Sequence, residues 1–206
     1  WWIMPKWFGL FKKRSKATED KLFSDELKSL DLGVSYLNQK DYERATEEFN
    51  KVLELNPENE TALIKLGHVY LQQKNYPQAI AQFEQALKLN PQSIDPHEGL
   101  GFCYFEQGYI ASAIEKFSYA LKLNPDSEHS HFGLGLCYHD NQENDKAIEE
   151  FNQVLRINPK HPQVNYHLGL CHHQLGNIYL KEGDYPQAIA QFEQALKLNP
   201  QSIDPH

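Results

Sequence analysis

Apolar residues recur along the chain at the spacing of amphipathic helices. In the stretch 76–91 the apolar side chains fall on one helical face. These side chains are Ala79, Ile80, Phe83, Ala86 and Leu87. Pro77 suits the first turn of such a helix, where a missing N–H costs no hydrogen bond. Because Pro91 disfavours the α region for Asn90, the pattern predicts a helix that ends at this point.

The whole pattern returns every 34 residues. Each unit carries a glycine after a leucine, and the repeated glycines are Gly33, Gly67, Gly101, Gly135 and Gly169. The later positions hold alanine (Ala45, Ala79, Ala113, Ala147), phenylalanine (Phe49, Phe83, Phe117, Phe151) and proline (Pro57, Pro91, Pro125, Pro159). Each unit is therefore predicted to be two short helices joined by a turn near Gly108 or its equivalents. A glycine inside every first helix indicates close contact with another helix, because a Cβ would block it.

These positions resemble the tetratricopeptide repeat, which combines Leu-Gly, a tyrosine three residues later, an alanine, a phenylalanine and a closing proline. The tyrosines of this chain are Tyr36, Tyr70, Tyr104 and Tyr138. The resemblance covers about residues 24–200. It implies an all-α protein, a right-handed superhelical α-solenoid of helix-turn-helix repeats. It also implies that the first helix of each pair lines the concave surface.

The organisation predicted from these repeats is an N-terminal aromatic and basic segment, residues 1–23, followed by an array of about five repeats, residues 24–206. Residues 17–24 are interpreted as a charged lead-in, with Ser24 as the N-cap of the first helix. The segment Tyr185–His206 is identical to Tyr76–His97. No C-terminal capping helix follows it, which indicates a fragment or an end that another subunit covers.

The last repeat is irregular and longer than the others. A second Leu-Gly pair ends at Gly176, seven residues after Gly169. Seven residues turn a helix by about 700°, so the apolar face continues nearly in phase. This favours one lengthened helix from about Pro162 to Lys181, with a turn at Gly183 and Asp184. The alternative is a break at Gly176 and Asn177.

The resemblance places the ligand surface on the concave face of the first helices. The predicted partner-binding residues lie three before, one after and four after each repeat glycine. They are Val34, Ile64, His68, Phe102, Phe105, Phe132, Leu136, His139, Tyr166, Leu170 and His173. This apolar, aromatic series, flanked by Glu106 and Asp140, suits an apolar peptide or an amphipathic helix. Family members that clamp chaperone carboxylates use Lys, Arg and Asn here, so that role is not expected.

Some of the aliphatic side chains on the same face are equally well explained as helix–helix core. Leu30, Leu37 and Leu71 are the clearest cases. The aromatic members favour a partner site instead, because large exposed rings are typical of interfaces.

The N-terminal segment combines aromatic and cationic residues. The residues predicted to dock on a membrane or partner are Trp1, Trp2, Trp7, Phe8, Phe11, Lys12, Lys13 and Arg14. Aromatic rings at headgroup depth beside cations are typical of peripheral contact with an anionic membrane. Three alternatives stay open: docking in the groove of a neighbouring molecule, a strap on the first repeat, and an expression remnant preceding Met4.

Charge and cysteine content narrow the function classes further. The net charge is −8, and residues 1–16 carry five basic and no acidic residues, which leaves −13 on the remainder. An acidic body repels phosphate backbones, so no nucleic-acid partner is expected. No apolar stretch is long enough to span a bilayer. Three widely spaced cysteines favour a reducing compartment. The protein is therefore predicted to be cytoplasmic, with peripheral membrane attachment as an added hypothesis.

Catalytic, metal and cofactor sites are not expected. Cys103, Cys137 and Cys171 each follow a repeat glycine by two residues, at a slot interpreted as a small core position. His167 and Cys171 share a helical face, yet no CxxC or HExxH motif accompanies them. No GxSxG motif or dinucleotide loop is present either.

Two functional hypotheses follow from these observations. The first is a non-catalytic protein–protein interaction scaffold or adaptor that holds an apolar peptide or helix in its concave groove, including at a membrane surface. The alternative is a self-assembling structural protein. In that case molecules form a lattice or filament, with the N-terminal segment docked in a neighbour.

Overall fold

The computed structural model describes residues 16–199, and these residues form ten helices and no strand. The helices are α1 (Lys16–Asn38), α2 (Tyr42–Leu55), α3 (Glu60–Gln72), α4 (Tyr76–Leu89), α5 (Ile94–Glu106), α6 (Ile110–Leu123), α7 (Glu128–Asp140), α8 (Asn144–Ile157), α9 (Val164–Glu182) and α10 (Tyr185–Leu198). They form five helix-turn-helix pairs. The predicted all-α fold is confirmed.

The first helix begins earlier than the sequence pattern indicated. α1 runs from Lys16, so Ser24 lies inside the helix and its predicted role as N-cap is wrong. The stretch from Lys16 to Leu27 is rich in Lys, Glu, Ala and Leu and contains no glycine or proline. Good helix formers without a breaker allow the helix to continue toward the N-terminus.

The ends of the second helices follow from local chemistry. Each ends at an asparagine, and in α4 this is Asn90, whose φ of −136° and ψ of 92° are extended. The following Pro91 disfavours helical angles at Asn90, as the sequence predicts. Pro77 lies in the first turn of α4, also as predicted.

The turns inside the pairs require left-handed backbone angles at one residue each. These residues are Lys40, Lys74, Gly108, Gln142 and Gly183, with φ between 59° and 81°. Gly108 and Gly183 adopt this region without steric cost, whereas the other three carry a Cβ there. The predicted turn near Gly108 and its equivalents is confirmed.

Buried phenylalanines hold each pair together. Phe49, Phe83, Phe117 and Phe151 are all fully buried. A Cβ on Gly67 would lie 2.6 Å from the ring of Phe83, so the absence of a side chain there makes room for the ring. The ring of Phe83 also lies against Gly99 of the next pair. The expected close approach at the repeat glycines is therefore observed.

The fifth pair keeps this contact but uses a different glycine. α9 is one continuous helix, which agrees with the lengthened-helix prediction and not with a break at Gly176. A Cβ on Gly176 would lie 2.6 Å from the ring of Phe192. A Cβ on Gly169 would meet nothing closer than the Cβ of Asn199, at 3.4 Å. The structural repeat has therefore moved by seven residues along α9.

The pairs stack in chain order into a solenoid. Each second helix contacts the first helix of the next pair, as α4 contacts α5. Consecutive first helices also contact each other, whereas within residues 16–199 no second helix contacts another second helix. Elements on the inner side of a curved array lie closer together. The first helices therefore line the inner surface.

Candidate partner-binding groove

Three adjoining cavities lie along the first helices, and one of them extends to the turns inside the pairs at Gly108 and Gln142. The middle cavity has a volume of about 570 Å³ and lies between α5, α7 and α9. Its apolar lining consists of Phe102, Phe105, Phe132, Leu136, Tyr166 and Leu170. Every one of these residues belongs to the predicted partner-binding series. We call this space the central cavity.

The two neighbouring cavities share residues with the central one. The first, of about 470 Å³, contains His68, Leu71 and His129 and shares Phe102 and Glu106 with the central cavity. We call it the α3 cavity. The other, of about 620 Å³, shares His139 and Asp140 with the central cavity. It also contains Ile178 and Lys181 of α9, and we call it the α9 cavity. The three cavities together form the groove.

The aromatic rings of the groove rest on the buried core. The Phe102 ring meets the buried Phe117 ring edge-on, with ring centroids 4.9 Å apart. Phe132 lies in a tilted arrangement near Phe151, with centroids 5.9 Å apart. Both groove rings are half-buried, whereas Tyr166 is 53% exposed. Contact with the core therefore holds each phenylalanine ring on one side, while its other side faces the cavity.

Three residues of the predicted series do not line these cavities. Ile64 is 8% exposed and belongs to the hydrophobic core around Phe83. Val34 is half-buried against the core around Phe49. His173 is exposed, with its ring 5.7 Å from that of Phe192. The assignment of Ile64 to an accessible groove surface is wrong, because its short branched side chain stays between the helices.

Models of the tetratricopeptide repeat match residues 33–74, 67–108, 103–162, 141–178 and 169–202. The chain belongs to the tetratricopeptide repeat family. None of the curated proteins compared with the chain matches it.

Several solved structures share the fold of this tetratricopeptide protein. A crystal structure of MamA is 25% identical, covers 88% of this chain and 98% of its own, and has a TM-score of 0.66. YrrB, described as a TPR protein with an unusual peptide-binding site, is 22% identical, with coverages of 91% and 94% and a TM-score of 0.65. TTC0263 from Thermus thermophilus is 24% identical, with coverages of 86% and 93% and a TM-score of 0.61.

Two histidines of the tetratricopeptide groove are held in the neutral form by burial. Burial, together with the nearby charge of Lys65, lowers the pKa of His68 to about 4. Burial also lowers the pKa of His167, and the neighbouring His139 and His161 lower it as well. Because the usual imidazole pKa is about 6.5, both rings are uncharged near neutral pH.

The sequence reasoning did not place His167 in the groove. Its ring stacks on Phe151 with centroids 5.5 Å apart, and it lines the central cavity beside Phe132. The equivalent positions of the two preceding first helices hold Gly99 and Gly133. Both of these glycines contact a buried phenylalanine. His167 occupies the same position of the repeat, and this position was the sequence signal that His167 contacts Phe151.

The cysteines occupy the small core slot that the sequence indicated. Cys103, Cys137 and Cys171 are buried free thiols, and burial raises the pKa of each to about 12. Cys171 Sγ lies 3.4 Å from His139 Nδ1. Within residues 16–199, no group of three or more His, Cys, Asp and Glu side chains is arranged to hold a metal ion.

The predicted docking residues of the N-terminal segment, from Trp1 to Arg14, lie outside the described residues. The docking role of this segment stays a prediction. Across residues 16–199, no helix is both long enough and apolar enough to cross a membrane.

Proposed function

We propose that this tetratricopeptide protein is a non-catalytic scaffold that binds an apolar peptide or an amphipathic helix of a partner protein in its groove. The central cavity is the observation that carries the proposal. Phe102, Phe132 and Tyr166, from three consecutive repeats, present ring surface to one space of about 570 Å³. Exposed aromatic surface in a concave site is typical of a binding site for apolar groups.

The family supports this proposal in general terms. Tetratricopeptide arrays are interaction scaffolds whose curvature creates an extended concave surface. Among similar structures, YrrB is described as having an unusual peptide-binding site. A peptide ligand is therefore a reasonable partner for a groove built from the same kind of helices. The N-terminal segment would supplement this role by peripheral attachment to an anionic membrane.

Replacement of both Phe102 and Phe132 by alanine is expected to weaken binding of groove-selected peptides about thirty-fold or more. Aromatic anchors contribute about 1 kcal/mol or more each to such interfaces, so the pair contributes about 2 kcal/mol or more, which corresponds to about thirty-fold in Kd. Peptides would be selected from a displayed library against the wild-type protein, and their Kd measured by fluorescence anisotropy. The matched control is Tyr109→Ala, because Tyr109 is 60% exposed and lies at the start of a second helix. Unchanged affinity in a folded double variant would contradict the proposal.

A second candidate function is self-assembly. Residues 1–15 of the N-terminal segment combine aromatic residues with cations, while the central cavity combines aromatic rings with the carboxylates of Glu106 and Asp140. Docking of this segment in the groove of a neighbouring molecule would join molecules into oligomers.

Deletion of residues 1–15 tests the self-assembly hypothesis without shortening α1. If the N-terminal segment docks in a neighbour, the full chain should sediment as concentration-dependent oligomers. The shortened chain should then shift toward the monomer. Sedimentation velocity between about 5 and 200 μM would measure both species. A monomer in both cases at every concentration would exclude this function.

A further inference from the structure

The charges of the central first helices are unusually one-sided. α5 carries Asp95, Glu98 and Glu106, α7 carries Glu128 and Asp140, and neither helix contains a lysine or an arginine. The basic residues of this part of the chain lie instead on the second helices and in the turns. Of these carboxylates, Glu106 and Asp140 line the groove. Glu98 instead accepts hydrogen bonds from Ser127 and Ser130, and Glu128 accepts one from Asn158.

Two of these carboxylates lie at the boundaries between cavities. Glu106 lines both the α3 cavity and the central cavity, and Asp140 lines both the central cavity and the α9 cavity. The ion pairs among residues 16–199 involve other side chains. Glu106 accepts a hydrogen bond of 3.3 Å from the Tyr76 hydroxyl. Both carboxylates are therefore available to a cation of a ligand.

Other charged groups of the groove lie toward its ends. Lys74 lines the α3 cavity and Lys181 lines the α9 cavity, so the acidic stretch is bounded by one lysine on each side. The imidazoles of His68 and His167, whose pKa values burial lowers, add no charge near neutral pH. The middle of the groove thus combines an aromatic floor with two carboxylates and no fixed positive charge.

We infer that the partner segment is cationic and amphipathic, with apolar side chains in the central cavity and a lysine or arginine at each of Glu106 and Asp140. This inference rests on the proposed function and names the chemistry of its ligand. Electrostatic complementarity of this kind determines partner choice more than it adds affinity. An acidic segment with the same apolar residues would place carboxylates beside carboxylates and be rejected.

The repeat geometry sets the spacing of the ligand's cations. Packed helices lie about 8–10 Å apart, and Glu106 and Asp140 occupy the same position of consecutive first helices. A chain in the extended polyproline II conformation advances about 3.1 Å per residue with three residues per turn, so side chains three residues apart lie on the same face, about 9 Å from each other. Two cations about three residues apart, with apolar residues between them, therefore match the two carboxylates. The N-terminal segment of this chain also contains cations and aromatic residues. A peptide of that sequence can be compared in the binding assay described next.

Three synthetic peptides test the inference directly with the full chain. The first is Lys-Phe-Leu-Lys-Phe-Leu-Lys, fluorescently labelled, and the others carry glutamine or glutamate at the lysine positions. Exposed ion pairs are individually weak, so we expect the lysine peptide to bind about tenfold more tightly than the glutamine peptide at about 50 mM salt. Screening should reduce this ratio to about twofold at about 500 mM salt. The glutamate peptide should bind most weakly.

Charge removal in the protein provides the complementary arm. The double variant Glu106→Gln and Asp140→Asn should lose the preference for lysine and bind the lysine and glutamine peptides about equally. The matched control is Glu54→Gln with Glu84→Gln, which removes two exposed carboxylates from second helices. This control should keep the tenfold preference.

The outcomes separate this inference from the proposed function. Glutamine and glutamate peptides that bind as tightly as the lysine peptide, with loss of all binding in Phe102→Ala, would overturn the cationic ligand and leave the groove intact. Equal binding of a peptide with its three lysines clustered at one end would overturn it as well. Absence of binding for every peptide and for library-selected ligands would overturn the proposed function itself.

Discussion

Replacement of Phe83 by alanine is expected to lower the free energy of unfolding by about 4 kcal/mol, whereas Phe192→Ala should cost about 2 kcal/mol. The two residues occupy the same position of helices with identical sequence. Phe83 is fully buried between Gly67 and Gly99, which belong to consecutive pairs. Phe192 contacts Gly176 but is only half-buried. Sequence and helix propensity are therefore constant in this comparison, and burial alone differs.

Urea unfolding followed by circular dichroism would measure both variants. Because each repeat contacts only its neighbours, Phe83→Ala should also separate the unfolding of the first two pairs from that of the remaining three. A broadened or biphasic transition is the expected sign, while Phe192→Ala should shift the midpoint without splitting the curve. Equal destabilisation by both substitutions would mean that the second glycine contact of Phe83 contributes nothing.

The second large effect is expected for Gly135→Ala, which should destabilise the protein by about 2–3 kcal/mol. A Cβ at this position would lie 2.5 Å from the ring of Phe151, which is fully buried and packed in the core. The same change at Gly169 should be neutral or stabilise by up to about 1 kcal/mol, because alanine favours the helix. There the added Cβ meets an ordinary contact of 3.4 Å.

Thermal and urea denaturation of the two glycine variants would measure whether the two substitutions change the stability in opposite directions. Both positions follow a leucine in a first helix, so the sequence alone treats them as equivalent. If Gly169→Ala proved as harmful as Gly135→Ala, the assignment of the fifth repeat to Gly176 would be wrong. Gly176→Ala provides the internal comparison, because its Cβ would lie 2.6 Å from Phe192.

The repeat period alone was sufficient to predict most of the fold. The glycine, phenylalanine and proline positions encode close approach, core filling and helix termination, and each of these local events is observed. The start of α1 could not be predicted in the same way. Hydrophobic periodicity identifies a helix by its buried residues. The early part of α1 has little buried surface, since its Phe23 is 62% exposed. The helix there follows from backbone propensity, which leaves no apolar pattern.

The groove residues could be predicted from the sequence where the length of a side chain decides whether it reaches the groove. Phe132 and Tyr166 lie three residues before a repeat glycine, as does Ile64. The two aromatic side chains extend past the helix contact and line the central cavity. Ile64 is shorter and ends within the core. The contribution of His167 could not be predicted from its slot alone, because a histidine there packs on Phe151 and still faces the cavity.

The lengthened α9 has a consequence for how such arrays diversify. Seven residues add about 10 Å to a helix and rotate its end by only about 20° relative to whole turns. The added turns bring Asn177, Ile178 and Lys181 beside Asp140 and Gln142, and so create one wall of the α9 cavity. An insertion of five residues would instead rotate the following hairpin by about 140° and expose its core. Heptad insertions thus offer this architecture a route to new ligand-contacting surface that leaves the remaining repeats unchanged.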